Sequence, residues 1–252
     1  ELSPSGVAGN YVYRRYSLYM SATLRNAIMT FSIIGHCPDS GQLGIAVCSD
    51  GVAVGARSLL LRSQVGVVSS LNSRLPFPGR HILDLIEQGV SPDIALKTGL
   101  NDDKYLPFHQ VVVFASNGLR AFYSGQHIPA ISNVAIGENC VAAGHSLVSQ
   151  QVITDMTNAF EKQQGQLTER LIAAMIAGVK AGGETGRVHS SALSVIGELL
   201  WPVVDLRVDW TEGDPVQELD LLWQAYKPQM QDYITRALNP ESAPGYGVPG
   251  DE

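Results

Sequence analysis

Cysteine is scarce in this chain. The three residues, Cys37, Cys48 and Cys140, are widely spaced and odd in number. That pattern suits a reducing compartment and offers neither a disulfide framework nor a metal knuckle. His36, His81, His109 and His127 have no ligand partners at metal spacing, so neither a metal nor another cofactor is expected. Basic stripes are missing as well. The net charge is −7 and the pI is near 5.3, which excludes nucleic acid as a main partner. No apolar run approaches the ~18 residues that span a bilayer, so no membrane segment is expected. The first 28 residues contain no apolar core of signal-peptide length. No internal repeat, low-complexity run or interdomain linker interrupts the stretch from Thr30 to Ala237.

What is present is a globular composition, 45% hydrophobic and 16% charged. Residues 1–28 read as an N-terminal extension: an arm against a neighbouring subunit, a propeptide, or sequence ahead of a true start at Met29. Residues 29–238 read as one domain and residues 239–252 as a loose tail rich in Pro and Gly. The compartment expected is the cytoplasm.

The domain opens with two apolar runs, Thr30 to Gly35 and Leu43 to Val47, joined by Pro38-Asp39-Ser40-Gly41. Pro fixes φ, Asp bonds the backbone ahead and Gly accepts positive φ, so the pair reads as a β-hairpin. Strands follow at 52–56 and 65–70, split by Arg57 to Ser63, and Pro76-Phe77-Pro78-Gly79 reads as a loop. Helices are expected over 81–88, from Pro92 behind a Ser91 N-cap, over 147–163, over 167–181 and from Pro215 behind Asp214, with Pro228 dividing the last. Further strands are expected at 110–115, 119–124, around 131–143, at 191–196 and at 203–208. Asn117-Gly118 marks a hairpin turn. Strands in hairpins and helices in pairs exclude a doubly wound sheet. The strands are near-continuously apolar, which requires cover on both faces. The expected fold class is therefore α+β: two stacked antiparallel sheets flanked by helix pairs, an αββα four-layer sandwich.

An opening Thr on such a strand resembles the N-terminal nucleophile (Ntn) hydrolases. Several segments also resemble a bacterial family known only as domain of unknown function 1028. They are Met29-Thr30-Phe31-Ser32-Ile33, Leu43-Gly44-Ile45-Ala46-Val47, Val65-Gly66-Val67-Val68, Ala181-Gly182-Gly183 and, the most specific, Val204-Asp205-Leu206-Arg207-Val208-Asp209. The resemblance covers about Met29 to Trp223. It departs from the family pattern at Ser69-Ser70, at Asn72-Ser73 and at Gly144-His145.

With Met29 removed, Thr30 carries a free α-amine beside its own hydroxyl, a nucleophile with a base built in. The resemblance makes Thr30 the candidate nucleophile. It makes Arg62 the cation that depresses the amine's pKa and Asp50 a nearby carboxylate. Ser49, Ser70, Asn72 and His145 are candidate substrate contacts. Each also has a plain structural reading, Thr30 as a strand residue, Arg62 as a surface arginine and Asp50 as a turn residue. Gly144-His145-Ser146 lacks the second Gly of a nucleophile elbow, and Ser146 reads as a helix N-cap. Asp205, Arg207 and Asp209 alternate on one strand face as an ion-pair ladder or subunit contact. Two functions follow: an Ntn-type hydrolase acting on a small amide, or a non-catalytic Ntn-fold module that binds a ligand or assembles with itself. The partners expected are a small-molecule substrate and further copies of the chain.

Overall fold

The structure is a computed structural model and describes residues 30–71, 76–128 and 131–245. The opening hairpin forms as the turn chemistry requires: β1 (Thr30–Cys37) and β2 (Gln42–Ser49) pair antiparallel, with Gly41 at φ +65° in the turn. The chain then makes a short helical turn, α1 (Gly55–Ser58), and the strands β3 (Leu59–Arg62) and β4 (Gly66–Leu71). Two helices follow, α2 (Pro76–Glu87) and α3 (Pro92–Leu100). Strands β5 (Gln110–Ala115), β6 (Arg120–Ser124), β7 (Asn133–Ile136) and β8 (Cys140–His145) precede the helix pair α4 (Gln151–Lys162) and α5 (Leu167–Lys180). The chain closes with β9 (Ser190–Ile196), β10 (Val204–Val208), α6 (Pro215–Tyr226) and α7 (Met230–Leu238).

The strands form two sheets, both antiparallel throughout. One has six strands in the order β10-β9-β2-β1-β8-β7, the other four in the order β3-β4-β5-β6. Side chains alternate along each strand, so each sheet has two faces to cover. Ile34, Ile45 and Val47 of the six-stranded sheet meet Val67, Val112 and Phe114 of the other between the sheets. Phe31, Ile33 and Leu193 turn the other way onto Met156, Phe160, Met175 and Trp223 of α4, α5 and α6. Val68, Val111 and Val113 pack outward on Ile82, Leu83 and Leu96 of α2 and α3. The layers are helix, sheet, sheet, helix, as expected from the two-sided apolar strands. Gly35 keeps β1 close to α4: a Cβ there would lie 2.4 Å from the Phe160 ring.

Three local expectations are corrected. The segment 52–56 is a turn leading into α1, with Ala53 at φ +52°, where a strand was expected. Leu59–Arg62 is a strand although two arginines bracket it. It borders only β4, at the edge of its sheet, so its charges reach solvent. Pro76 to Gly79 opens α2, because Pro is accepted in a first turn where no amide hydrogen bond is lost. Pro228 interrupts the last helix as predicted, in a 3₁₀ turn between α6 and α7. No described helix is long and apolar enough to cross a membrane.

Candidate active site

β1 lies between β2 and β8, and its first residue is held from both sides. Thr30 pairs with Ser49 on β2 and with His145 on β8. The parity that sends Ile34, Val47 and Ala143 between the sheets sends Thr30, Ser49 and His145 there too. The hydroxyls of Thr30 and Ser49 hydrogen-bond at 3.1 Å. Ser49 Oγ also accepts from the Gly51 amide at 3.1 Å and donates to Asp50 Oδ1 at 3.4 Å. Ser190, the partner of Ser49 on β9, donates to the Gly51 carbonyl at 2.5 Å and accepts from the Val54 amide at 3.2 Å. This fixes the turn after β2.

Three segments converge at the N-terminal end of β1: 49–51, 145–147 and 183–185. The last is tied down by Thr185 N to Ser146 O at 3.1 Å, by Gly183 O to Val148 N at 3.1 Å and by a β-bridge between Glu184 and Leu147. Glu184 is 5% exposed, and neither carboxyl oxygen makes a well-aligned hydrogen bond. Burial pushes its carboxyl well above the ordinary value. The charge of Asp50 adds to this, and the Asp50 amide lying against it opposes. His145 is fully buried with neither ring nitrogen partnered, and burial lowers its pKa to about 4. Beside it Ser146 sits at φ +55° with a buried, unpartnered hydroxyl. An acid whose charged form burial disfavours, an imidazole whose charged form burial disfavours and a residue at strained φ therefore share one corner.

The cation at this end is Arg57 of α1. Its Nε donates to the Val52 carbonyl at 3.2 Å, and its Nη2 is buried without a partner. The guanidinium lies over Gly51: a Cβ there would be 2.6 Å from Arg57 Nη2 and 3.5 Å from Ser49 Oγ. Burial lowers its pKa and Asp50 opposes that.

Of the residues singled out from sequence, Thr30, Ser49, Asp50 and His145 come together. Arg62 does not join them. It is ion-paired with Asp84 and Glu87 of α2, at 2.7 Å each. The turn after it bonds the Gly197 carbonyl, and Gly197 follows the end of β9 opposite Ser190. Ser70 shares the parity of Val68 and faces the α2–α3 layer, away from Thr30. Asn72 lies outside the described residues, as do residues 1–28. Ser146 is no N-cap, since the position before α4 is Gln150. Cys48 turns to the helix layer, where burial pushes its thiol well up, so it is a small core hydrophobe. Arg57, Glu184 and Ser190 were missed. The one sequence signal for Glu184 was its place directly after the Gly182-Gly183 stop, which no periodicity explains. The clefts described lie away from Thr30, one of about 750 Å³ along α2 and α3 by Pro78, His81 and Tyr105.

The model of a family of unknown function, DUF1028, matches residues 30–219. The crystal structure of protein SPO2555 from Silicibacter pomeroyi, of the same family, superposes with a TM-score of 0.76 at 26% identity. It covers 81% of this chain and 89% of that one. Anbu (ancestral beta-subunit) from Yersinia bercovieri covers 86% of this chain and 100% of its own, but its TM-score of 0.36 and 9% identity carry no argument. No curated protein matches the chain. On the extent of the family match, this chain belongs to the family of unknown function DUF1028.

Proposed function

We propose that the chain is an Ntn-type hydrolase that cleaves the C–N bond of a small amide or cyclic amide, with Thr30 as nucleophile. The observation that carries this is the Thr30 hydroxyl on the inter-sheet face at the first residue of β1, hydrogen-bonded to Ser49. Around it stand Arg57, His145 and Glu184, each with a buried polar atom that has no partner. Buried polar groups are nearly always paired, and clusters of exceptions mark sites held ready for something else.

The reading requires the Met29–Thr30 bond to open. Thr30 is 2% exposed, so the same event must uncover its hydroxyl. The released α-amine then takes the proton from Thr30 Oγ1 as that oxygen attacks the substrate carbonyl. The tetrahedral intermediate collapses as the C–N bond breaks and the amine's proton passes to the leaving nitrogen. Water, giving its proton to the same α-amine, cleaves the ester and restores the hydroxyl. Arg57 is the cation that favours a neutral amine, in the role the sequence assigned to Arg62. Glu184, bridged to Leu147 and close to Asp50, is the carboxyl proposed to act on the new amine. The Ser49 hydroxyl, which touches Thr30 Oγ1, turns from Asp50 to donate to the developing oxyanion.

Intact-mass measurement of the purified protein, with a panel of small amides and trapping of the acyl-enzyme, tests this. The expected results are a species beginning at Thr30 and an acyl adduct on that residue. Turnover that survives Thr30→Ala unchanged would overturn the reading.

A further inference from the structure

We infer that β10 is the seam of a two-fold dimer of this chain, joined edge to edge with β10 of a second copy. β10 is the terminal strand of the six-stranded sheet and pairs only with β9. An open edge is a template for another strand, and folds that stay monomeric blunt it. Among the described residues this edge has no Pro, no bulge and no covering strand; what guards it is its shortness, the charges of Asp205 and Arg207, and the Ala53 amide on the Asp209 carbonyl just past its end.

The sequence of the strand complements itself. In a two-fold antiparallel pair, residue i faces j and residue j faces i. Centred on Leu206, such a pair sets Val204 against Val208 and Asp205 against Arg207, on both sides of the axis. Centred one residue later, it sets Arg207 against Arg207 and Asp205 against Asp209, like charge on like. The charges thus select the register that keeps all five residues paired.

The side chains are free in the matching pattern. Arg207 holds Asp209 through Nε at 3.1 Å and Nη2 at 2.8 and 3.0 Å, leaving Nη1 available. Asp205 has no hydrogen bond or ion pair among the described residues. Its carboxyl is pushed up by partial burial, against the pull of Arg207. An exposed carboxylate that is unpaired in one copy meets an unused guanidinium nitrogen in the next. The surface beside the edge is apolar as well. Trp210, Leu221 and Leu222 are 49%, 63% and 40% exposed, and line a cleft of about 460 Å³ with Arg207 and Val208. A stable interface has an apolar centre with polar groups at its rim, and this patch continues the strand edge into one.

Sedimentation of the full chain over a concentration series tests the seam. The expected result is a dimer. Asp205→Arg and Arg207→Asp alone should each weaken it by about tenfold or more, since each sets like charges face to face. The double variant restores opposite charges and should recover the dimer, although Arg207 no longer reaches Asp209. Melting curves of the same variants show that each one folds. Leu206→Cys, which faces itself across the axis, should form a covalent dimer on oxidation. A wild-type protein that sediments as a monomer overturns the inference. So does a dimer indifferent to both single reversals, or one that fails to cross-link through position 206. None of these readouts depends on catalysis, so the seam and the hydrolase reading fail separately.

Discussion

Replacing Glu184 by Gln should stabilise the fold by an amount that grows with pH. The carboxyl's ordinary value is 4.5, and burial holds it well above that in the folded chain. Above pH 4.5 the unfolded chain has released this proton and the folded chain keeps it. The folded state then binds one more proton, so its stability falls by about 1.36 kcal/mol per pH unit until the folded carboxyl ionises. Gln has no proton to lose. The difference between Glu184→Gln and the parent should therefore widen with pH from about 4.5 until the folded carboxyl ionises. For a chain of this length each kcal/mol of that difference is about 2–4 °C in Tm.

His145 supplies the opposite slope. Its pKa falls from 6.5 to about 4, so its contribution is complete above pH 6.5 and is lost as pH drops toward 4. The loss totals roughly 3.4 kcal/mol. Just above pH 4.5 the two slopes oppose one another in the parent. Glu184→Gln leaves the histidine slope alone, so its stability rises with pH in that window. His145→Gln leaves the carboxyl slope alone, so its stability falls. Packing costs of either substitution shift a curve without tilting it. Urea midpoints at half-unit pH steps read the slopes directly. A Glu184→Gln advantage that stays constant or shrinks as pH rises would refute the reasoning.

Other outcomes are expected. Thr30→Ser should retain amide turnover while Thr30→Ala abolishes it, read by single-turnover kinetics on the cleaved protein. Gly35→Ala should cost about 1–3 kcal/mol in urea unfolding, because its methyl meets the Phe160 ring held between β1 and α4. Asp214→Ala should cost about 1 kcal/mol, since its carboxylate accepts from the Val216 and Gln217 amides at 2.9 and 3.1 Å at the start of α6. Trp223→Ala should cost about 3–5 kcal/mol, because the indole is fully buried against the six-stranded sheet.

The layered fold was legible because its signals are local. Turn residues placed the β1–β2 and β5–β6 hairpins, with Gly41 and Gly118 both at positive φ. Unbroken apolar strands announced cover on both faces. Local signals misled where the environment overrode them: β3 is a strand despite Arg57 and Arg62, because an edge strand lets charges reach water. The site was half legible for the same reason. Thr30 and Ser49 belong to one hairpin, so a spacing along the chain carried the pairing. Choosing between Arg57 and Arg62 needed the knowledge of which end of the sandwich each occupies. Only five residues separate them, and β3 carries the second to the far end. Glu184 arrives from beyond two helices, and no pattern in its neighbourhood points back to β1.

The positions of the unpaired groups argue for function more strongly than their identities do. Each of the two costs stability on one side of the 4.5–6.5 window, Glu184 as pH rises and His145 as it falls. Apolar residues of similar size would remove both costs. The two do not neutralise one another by contact, since no hydrogen bond joins them. His145 reaches the end of β1 as its partner on β8, and Glu184 lies between Leu147, just past β8, and the Asp50 turn after β2. Both lie in the segments that converge on the Thr30 end of β1, beside a hydroxyl already held by Ser49. On the proposed cleavage the new amine at Thr30 would give both groups a charged neighbour, so the pH slopes of the cut and uncut chains should differ.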